Sequence, residues 1–255
     1  MKYFIPQNLT NKERKQMAWL EQLRDTFLAW LEQLHETFIV DDRYMWLLEG
    51  LGNTLIITFG ALLIGVVIGT LIAVTKYFCE GNRKLRFLNW LCDFYTTVIR
   101  GIPMTVLLML FFFVLFVSVR NGVPVAVAAF GINSGAYMAE LIRGGINAVD
   151  KGQMEAARSL GLSKGQAMAK VVMPQAIKYI LPAIGNECIA LLKETSVAGY
   201  VAVVDVTKAA TNIRNKTYDA ANPIILLALI YLTMVVILTR LLAMMERRLR
   251  KSDGK

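Results

Sequence analysis

Residues 51–75 (LGNTLIITFGALLIGVVIGTLIAVT) run for 25 positions without a charged side chain. As an α-helix at about 1.5 Å per residue, that run outreaches the ~30 Å hydrocarbon core of a bilayer. No water is present there to satisfy a free backbone group, so the segment predicts a membrane-spanning helix. Three more charge-free runs follow: 101–119 between Arg100 and Arg120, 121–139 up to Glu140, and 220–239 between Asp219 and Arg240. A weaker apolar stretch covers 177–204, interrupted by Glu187, Lys193 and Glu194. The pattern predicts an all-α integral membrane protein with about five transmembrane helices, four clear and one polar-interrupted.

The rest of the composition narrows the function classes. Charged residues make up 18% of the chain, below the roughly 25% of soluble domains. The net charge of +9 suits nucleic acid or, in a membrane protein, cytoplasmic loops. Cys79, Cys92 and Cys188 show no paired metal spacing and no disulfide framework, and one histidine adds no cluster. No metal site is expected. Residues 1–16 are polar and basic, so no cleaved signal peptide is expected.

Basic residues orient the spans. The connections 76–100, 143–178 and 240–255 carry five, six and six Lys/Arg, and the turn 120–122 carries one. Residues 1–50 carry six, outweighed by eight acids. Alternation across five spans places the N-terminus outside and the C-terminus and central loop in the cytoplasm. Lys208, Arg214 and Lys216, in the connection 205–219, run against that rule. Ala61, Gly65 and Gly69 recur every four positions on the first span, which suits close helix approach, by bundle packing or a dimer seam.

Residues 1–45 form an N-terminal extension ahead of a transmembrane region, 46–250, and a basic tail, 251–255. Within the extension, LEQLRDTF and LEQLHETF are near-repeats 11 residues apart, about three helical turns. Leu20, Leu23, Phe27, Leu31, Leu34 and Phe38 then form one apolar stripe. The segment is too charged to span and suits a helix on the membrane surface or against a partner. His35 falls on the polar side, where a solvated surface role is expected.

The loop 150–174 is the most informative polar segment. Asp150 is placed to cap a helix starting at Lys151, with Gln153 as a near capping box. Gly161 is placed to end it in a left-handed conformation. Ser163 opens a second helix with Gln166 completing a capping box, and Pro174 closes the pattern. Ala156 and Ala157 give the first helix a shallow face, flanked by Glu155 and Arg158. Three roles fit: a solvated loop, a DNA-reading helix–turn–helix, or a docking element for a cytoplasmic partner. A duplex would have to reach the bilayer surface, which disfavours the second.

At these residues the sequence resembles the permease subunits of ATP-binding-cassette importers. Their loop reads Glu-Ala-Ala, three residues, Gly, nine residues, Ile-x-Leu-Pro. Here it reads Glu155-Ala156-Ala157, Gly161, Val171-Val172-Met173-Pro174. TVIRGIPMTVLL (97–108), NSGAYMAELIRGGI (133–146) and LPAIGNECIALLKETSVAGYV (181–201) are similar to the polar amino acid, histidine/glutamine-type branch. The likeness covers roughly 50–250; the first 45 residues and a short connection near 114–124 depart from it.

The resemblance implies a type I importer permease in a bacterial inner membrane, with Glu155, Ala156, Ala157 and Gly161 contacting an ATPase subunit as a coupling helix. It implies two ATPase subunits, a second permease, identical or paralogous, and an extracellular solute-binding protein. The chain has no Gly-x-x-x-x-Gly-Lys-Ser/Thr loop, so it is expected to be no enzyme, with ATP and magnesium held on the ATPase chains. An opine-like or sulfur-containing amino acid is an alternative cargo, and a membrane-anchored regulator an alternative class.

Ionisable groups inside a membrane are functional candidates. Glu187 and Asn186 follow Pro182 and Gly185, where a helix loosens and polar groups line a cavity. Glu140 and Arg143 share a face and either pair together or meet substrate. Glu187, Glu140, Asn186 and Arg143 are thus substrate-pathway candidates. Lys193, Glu194 and Thr195 form a polar break expected to act as a hinge or gate.

Overall fold

The computed structural model describes residues 10–79 and 85–251. Among them every regular element is helical. Helix α1 (Asn11–Leu34) precedes α2 (Tyr44–Cys79), α3 (Arg86–Gly101), α4 (Met104–Leu110) and α5 (Gly122–Asn147). Then come α6 (Lys151–Ser159), α7 (Lys164–Ala167), α8 (Met173–Glu194), α9 (Val206–Thr217) and α10 (Asn222–Lys251). Most of the basic C-terminal stretch is helix, and residues 252–255 of the expected tail lie outside the described residues.

Three described helices are long and apolar enough to cross a membrane: α2, α5 and α10. The run 101–119 is not a straight span. Pro103 forces Ile102 into an extended backbone (φ −96°, ψ 128°), and the chain turns by 105° between α3 and the arm that α4 begins. The two together form one broken span or a re-entrant loop. The polar-interrupted stretch is helical only to Glu194, and a 3₁₀ turn, Thr195–Val201, follows.

The centre of the molecule is the parallel pair α2 and α5, which meet in rising register from Gly60 with Val127 to Gly69 with Met138. Small residues let the two axes close. A Cβ on Gly65 would stand 2.7 Å from Ser134 Oγ, and one on Gly69 would run into the Met138 side chain and the Ala139 backbone. In return, Ile64 and Ile68 fill the space over Gly131 and Gly135. The small-residue row of the first span is therefore packing within the chain. Ile57, Ala61, Leu108, Phe130 and Leu191 lie in the buried cluster that this pair organises. α10 packs on α8 and α9 through one side, with Leu226, Leu227, Ile230 and Tyr231 half-buried, and no residue of its most apolar stretch is fully buried.

α9 was hidden in what the sequence suggested was a connection, 205–219. Asp205 caps it, accepting from Thr207 N at 3.0 Å and Lys208 N at 3.0 Å. Val206, Ala209, Ala210 and Ile213, on one helical face, are fully buried. They receive Leu47 of α2 and Phe38, which follows α1. The three basic residues of this segment sit on the other side of an inserted helix rather than in a free loop.

α1 confirms the helix expected from the 11-residue repeat. It ends in a π turn, His35–Ile39, and Asp41 and Asp42 adopt left-handed φ values of 56° and 50°. That corner is clamped. Thr37 Oγ1 donates to Asp219 Oδ2 at 2.8 Å, and Arg43 pairs with Asp41 at 2.9 Å. Burial raises the Asp219 carboxyl, but donors from Asn222, Thr37 and the backbone prevail and hold it below its ordinary value. A depressed carboxylate stabilises at neutral pH and loses that contribution only as pH falls through its lowered pKa. His35 is exposed, as its place on the polar side suggests.

Candidate functional site: the capped loop and the polar face behind it

The loop is built as a rigid corner. Asp150 Oδ1 accepts from Gly152 N at 2.7 Å and starts α6. Gln153 does not complete a box there; its side chain instead accepts from Gln175 Nε2 at 3.2 Å, tying α6 to α8. Gly161 ends α6 at φ +88°. Its N–H bonds to Arg158 O at 3.0 Å, and Leu162 N bonds to Ala157 O at 3.2 Å. This 6→1, 5→2 pair is a Schellman closure, which needs glycine's freedom at positive φ. Ser163 and Gln166 then form a complete capping box on α7.

Pro174 does not close the pattern. A π turn, Met168–Val172, joins α7 to α8, with Met173 N bonding to Met168 O. The missing proline N–H is absorbed at that wide turn, in the first turn of α8. The chain from Lys164 to Glu194 is thus one continuous rod with the docking corner at one end.

The corner is also packed down. Met154, Met168 and Val172 lie with Ala73 of α2 and Ile142 of α5 in one buried cluster. Lys164 Nζ stands 5.0 Å over the Tyr77 ring at the end of α2. A cavity of about 550 Å³ remains beside it, lined by Tyr77, Asn147, Asp150, Lys151 and Lys164 among others.

The structure divides the expected contact set. Glu155, Ala156 and Gly161 are exposed, but Ala157 is buried within the chain itself. Alanines 156 and 157 point about 100° apart on a helix, so one packs inward while the other stays outside. The shallow outer face is therefore Ala156 alone. Sequence reasoning missed its neighbour Leu160, which is 85% exposed at the α6 terminus. An apolar side chain beside the glycine that ends a capped helix was the available signal.

The polar candidates fall into two groups. Glu140 Oε2 lies 3.1 Å from Arg143 and 3.9 Å from Arg100, and the Arg100 guanidinium stands 5.2 Å from the Tyr137 ring centre. Glu140 is thus shared between two arginines on α3 and α5, and Arg100 joins a group from which the sequence had left it out. Glu187 is separate. It is half-buried on α8 and accepts from Ser134 Oγ of α5 at 3.2 Å. Asn186 is exposed, and its amide donates to Pro182 O at 3.1 Å within its own helix. The helix stays intact around Pro182 and Gly185 rather than breaking. Lys193 and Glu194 are exposed where α8 ends. Thr195 is fully buried, its hydroxyl donating to Leu192 O at 2.7 Å. No group of metal-ligating side chains occurs among the described residues.

An all-helical bundle with an insertion helix, a capped two-helix loop and a polar face behind it defines a membrane permease. Residues 65–251 match the family described as the binding-protein-dependent transport system inner membrane component. The chain is 39% identical to the arginine transport system permease protein ArtQ of Bacillus subtilis, across 82% of this chain and 94% of that one. It is 37% identical to a putative glutamine transport system permease protein GlnP of Rickettsia bellii, across 81% and 94%. A solved amino acid ABC transporter with histidines is 41% identical at a TM-score of 0.75, across 83% of this chain and 98% of that one. An inward-facing MetNI methionine transporter, at 21% identity and a TM-score of 0.67, shares the fold. The chain belongs to the family of inner membrane components of binding-protein-dependent transport systems. It is a multi-pass transport subunit with the type I permease fold of ABC importers, and that membership sets aside the membrane-anchored regulator.

Proposed function

We propose that this chain is one half of a two-permease core that imports a polar amino acid by alternating access. Two ATPase subunits supply the energy, and a solute-binding protein delivers the substrate from outside. The ATP and magnesium chemistry belongs to the ATPase chains, and this chain carries no catalytic residue. The N-terminus lies outside; the loop and the C-terminus face the cytoplasm. The observation that carries the mechanism is the unbroken rod from Lys164 through Glu194, with a Schellman-closed corner at one end and Glu187 toward the other. When two ATPases close on ATP, a rigid corner moves the rod, whereas a floppy loop would absorb the displacement. The bundle is then a two-state element whose equilibrium nucleotide binding shifts.

The permeases named for arginine and glutamine support an amino acid cargo, which carries both an ammonium and a carboxylate. Glu187 offers a half-buried acceptor, and Arg100 and Arg143 offer donors beside Glu140. Glu155, Ala156, Gly161 and Leu160 form the ATPase contact. Lys193, Glu194 and Thr195 sit at the helix end where a gate would turn.

Two substitutions test these roles. Glu187→Gln keeps the shape and the Ser134 hydrogen bond but removes a charge. A charge-assisted bond is worth about 1.5–3 kcal/mol, so uptake of a cationic amino acid falls by about ten-fold or more, with ATPase assembly intact. Unchanged uptake kinetics remove Glu187 from the pathway. Leu160→Glu puts a charge where an apolar anchor meets the motor. Surface changes cost within about 0.5 kcal/mol of stability, yet loss of an interface anchor costs about 2 kcal/mol. The protein stays folded in the membrane while ATPase binding, read by co-purification, drops by about ten-fold or more. Wild-type binding by this variant rejects the contact. The cargo itself is tested by purifying the assembled transporter with its binding protein and measuring which amino acids stimulate ATP hydrolysis. Stimulation by no amino acid rejects the proposed cargo.

A further inference from the structure

α1 has no role in the transport machinery described above. The matching region of the family begins at residue 65, and the solved relative is covered to 98% by only 83% of this chain. Its apolar side chains are not folded inward: Trp19, Leu20, Leu23, Phe27, Trp30 and Leu31 are all exposed. At 100° per residue they occupy about a third of the helix circumference, with Trp19 and Trp30 aligned along one border, about three turns apart. The opposite side carries Glu21, Gln22, Asp25 and Glu32.

The base of α1 is fixed in height. Trp30 Nε1 donates to Asn222 Oδ1 at 3.1 Å, and Thr37 donates to Asp219 Oδ2 at 2.8 Å. Asn222 starts α10, and Tyr44, just past the Asp41–Asp42 corner, starts α2. Both helices cross the membrane, so their shared end lies at one membrane–water boundary. A helix leaving that boundary either stands in water, exposing about a third of its circumference as hydrocarbon, or lies down along the bilayer. Tryptophan at its border suits the headgroup level.

We propose that α1 is an interfacial helix, its Leu20–Leu23–Phe27–Leu31 side sunk into the lipid surface at the end of the bundle where α2 and α10 begin. The occupant of the stripe is acyl chain, not anionic headgroup. Across 11–34, four basic residues (Lys12, Arg14, Lys15, Arg24) are balanced by four acids (Glu13, Glu21, Asp25, Glu32). Attachment therefore does not depend on lipid charge. The proposal rests on α2 and α10 spanning the membrane and on nothing about cargo or coupling.

The test uses the full chain, with Cys79, Cys92 and Cys188 replaced, in phosphatidylcholine vesicles without partner subunits. Spin labels go on Leu23→Cys and Phe27→Cys for the stripe, and on Gln22→Cys and Ala29→Cys for the other side. Stripe labels collide preferentially with dissolved oxygen and the others with a water-soluble nickel chelate. The pattern is the same when anionic lipid or 0.5 M salt (about a 4 Å screening length) is added. Equal access of the chelate to all four sites overturns the proposal. So does spin–spin broadening at the stripe, which means a second copy covers it. Shielding that appears only with the solute-binding protein assigns the stripe to that protein and also overturns it.

Discussion

Gly161→Pro uncouples the transporter: ATP hydrolysis continues while substrate uptake collapses. The reason is local. Gly161 holds φ at +88° and donates its N–H to Arg158 O. Proline fixes φ near −65° and has no N–H, so it removes both the turn and the bond. The Leu162-to-Ala157 bond goes with them, and α6 is no longer held at a fixed angle to the rod. Nothing stands within 4 Å of a Cβ built at this position, so the bundle itself is not disturbed. The protein reaches the membrane and α8 stays packed. Uptake in reconstituted vesicles falls by about a hundred-fold, the order seen when a positioning element is misplaced by an ångström or so. Gly161→Ala retains the N–H and pays only the left-handed backbone cost of about 1–2 kcal/mol, so its uptake lies between. Normal coupling in the proline variant means that the corner does not transmit force.

Gly69→Leu has the largest expected effect on the fold. A Cβ alone at residue 69 meets Ala139 N and Met138 C at 2.8 Å. Those are backbone atoms on the facing helix, so no rotamer change relieves them. α2 and α5 must separate, and the pair that organises the central cluster opens. Overpacking a dense core costs about 1–3 kcal/mol where side chains can yield, and more where they cannot. The variant is expected to lose most membrane-inserted, protease-resistant protein. Gly52→Leu, with open space at its Cβ position, serves as the matched control and accumulates normally. Equal accumulation of the two variants contradicts the packing described here.

Much of the loop was legible in the sequence because capping is local chemistry. Asp150, Gly161 and the Ser163–Gln166 box each act over three or four residues, and each appears as expected. The spans were legible as charge-free runs, though not their ends: α2 begins seven residues before its run and includes Glu49. What failed needed a third dimension. Pro103 lies inside the charge-free run 101–119, which was read as one span, and the 105° turn there depends on where α4 finds its packing. Pro174 looked like a stop because a proline interrupts an α-helix, and a π turn does not announce itself in side chains. α9 was missed although Val206, Ala209, Ala210 and Ile213 follow helical spacing behind an Asp205 cap. Its apolar face holds only four residues, two of them alanines, and three cations disguised it as a polar loop. Ala157 and Ala156 are chemically identical, and only the fold tells which one is inside.

The polar candidates were legible as residues, not as partnerships. Glu140 with Arg143 follows from helical spacing, but Arg100 reaches the same carboxylate from α3 across the bundle. Glu187 finds Ser134 fifty-three positions away. Such pairs are set by helix packing, which no local pattern encodes.

The central claim is that the corner around Leu160 faces the cytosol and is gripped there by an ATPase. A Leu160→Cys variant without its native cysteines, probed with a membrane-impermeant maleimide, tests it most directly. The site reacts in inside-out vesicles stripped of the ATPase, is silent in intact cells, and becomes protected when the ATPase subunit is added back. Reaction from the outer face of intact cells, or no protection by the bound ATPase, contradicts the account.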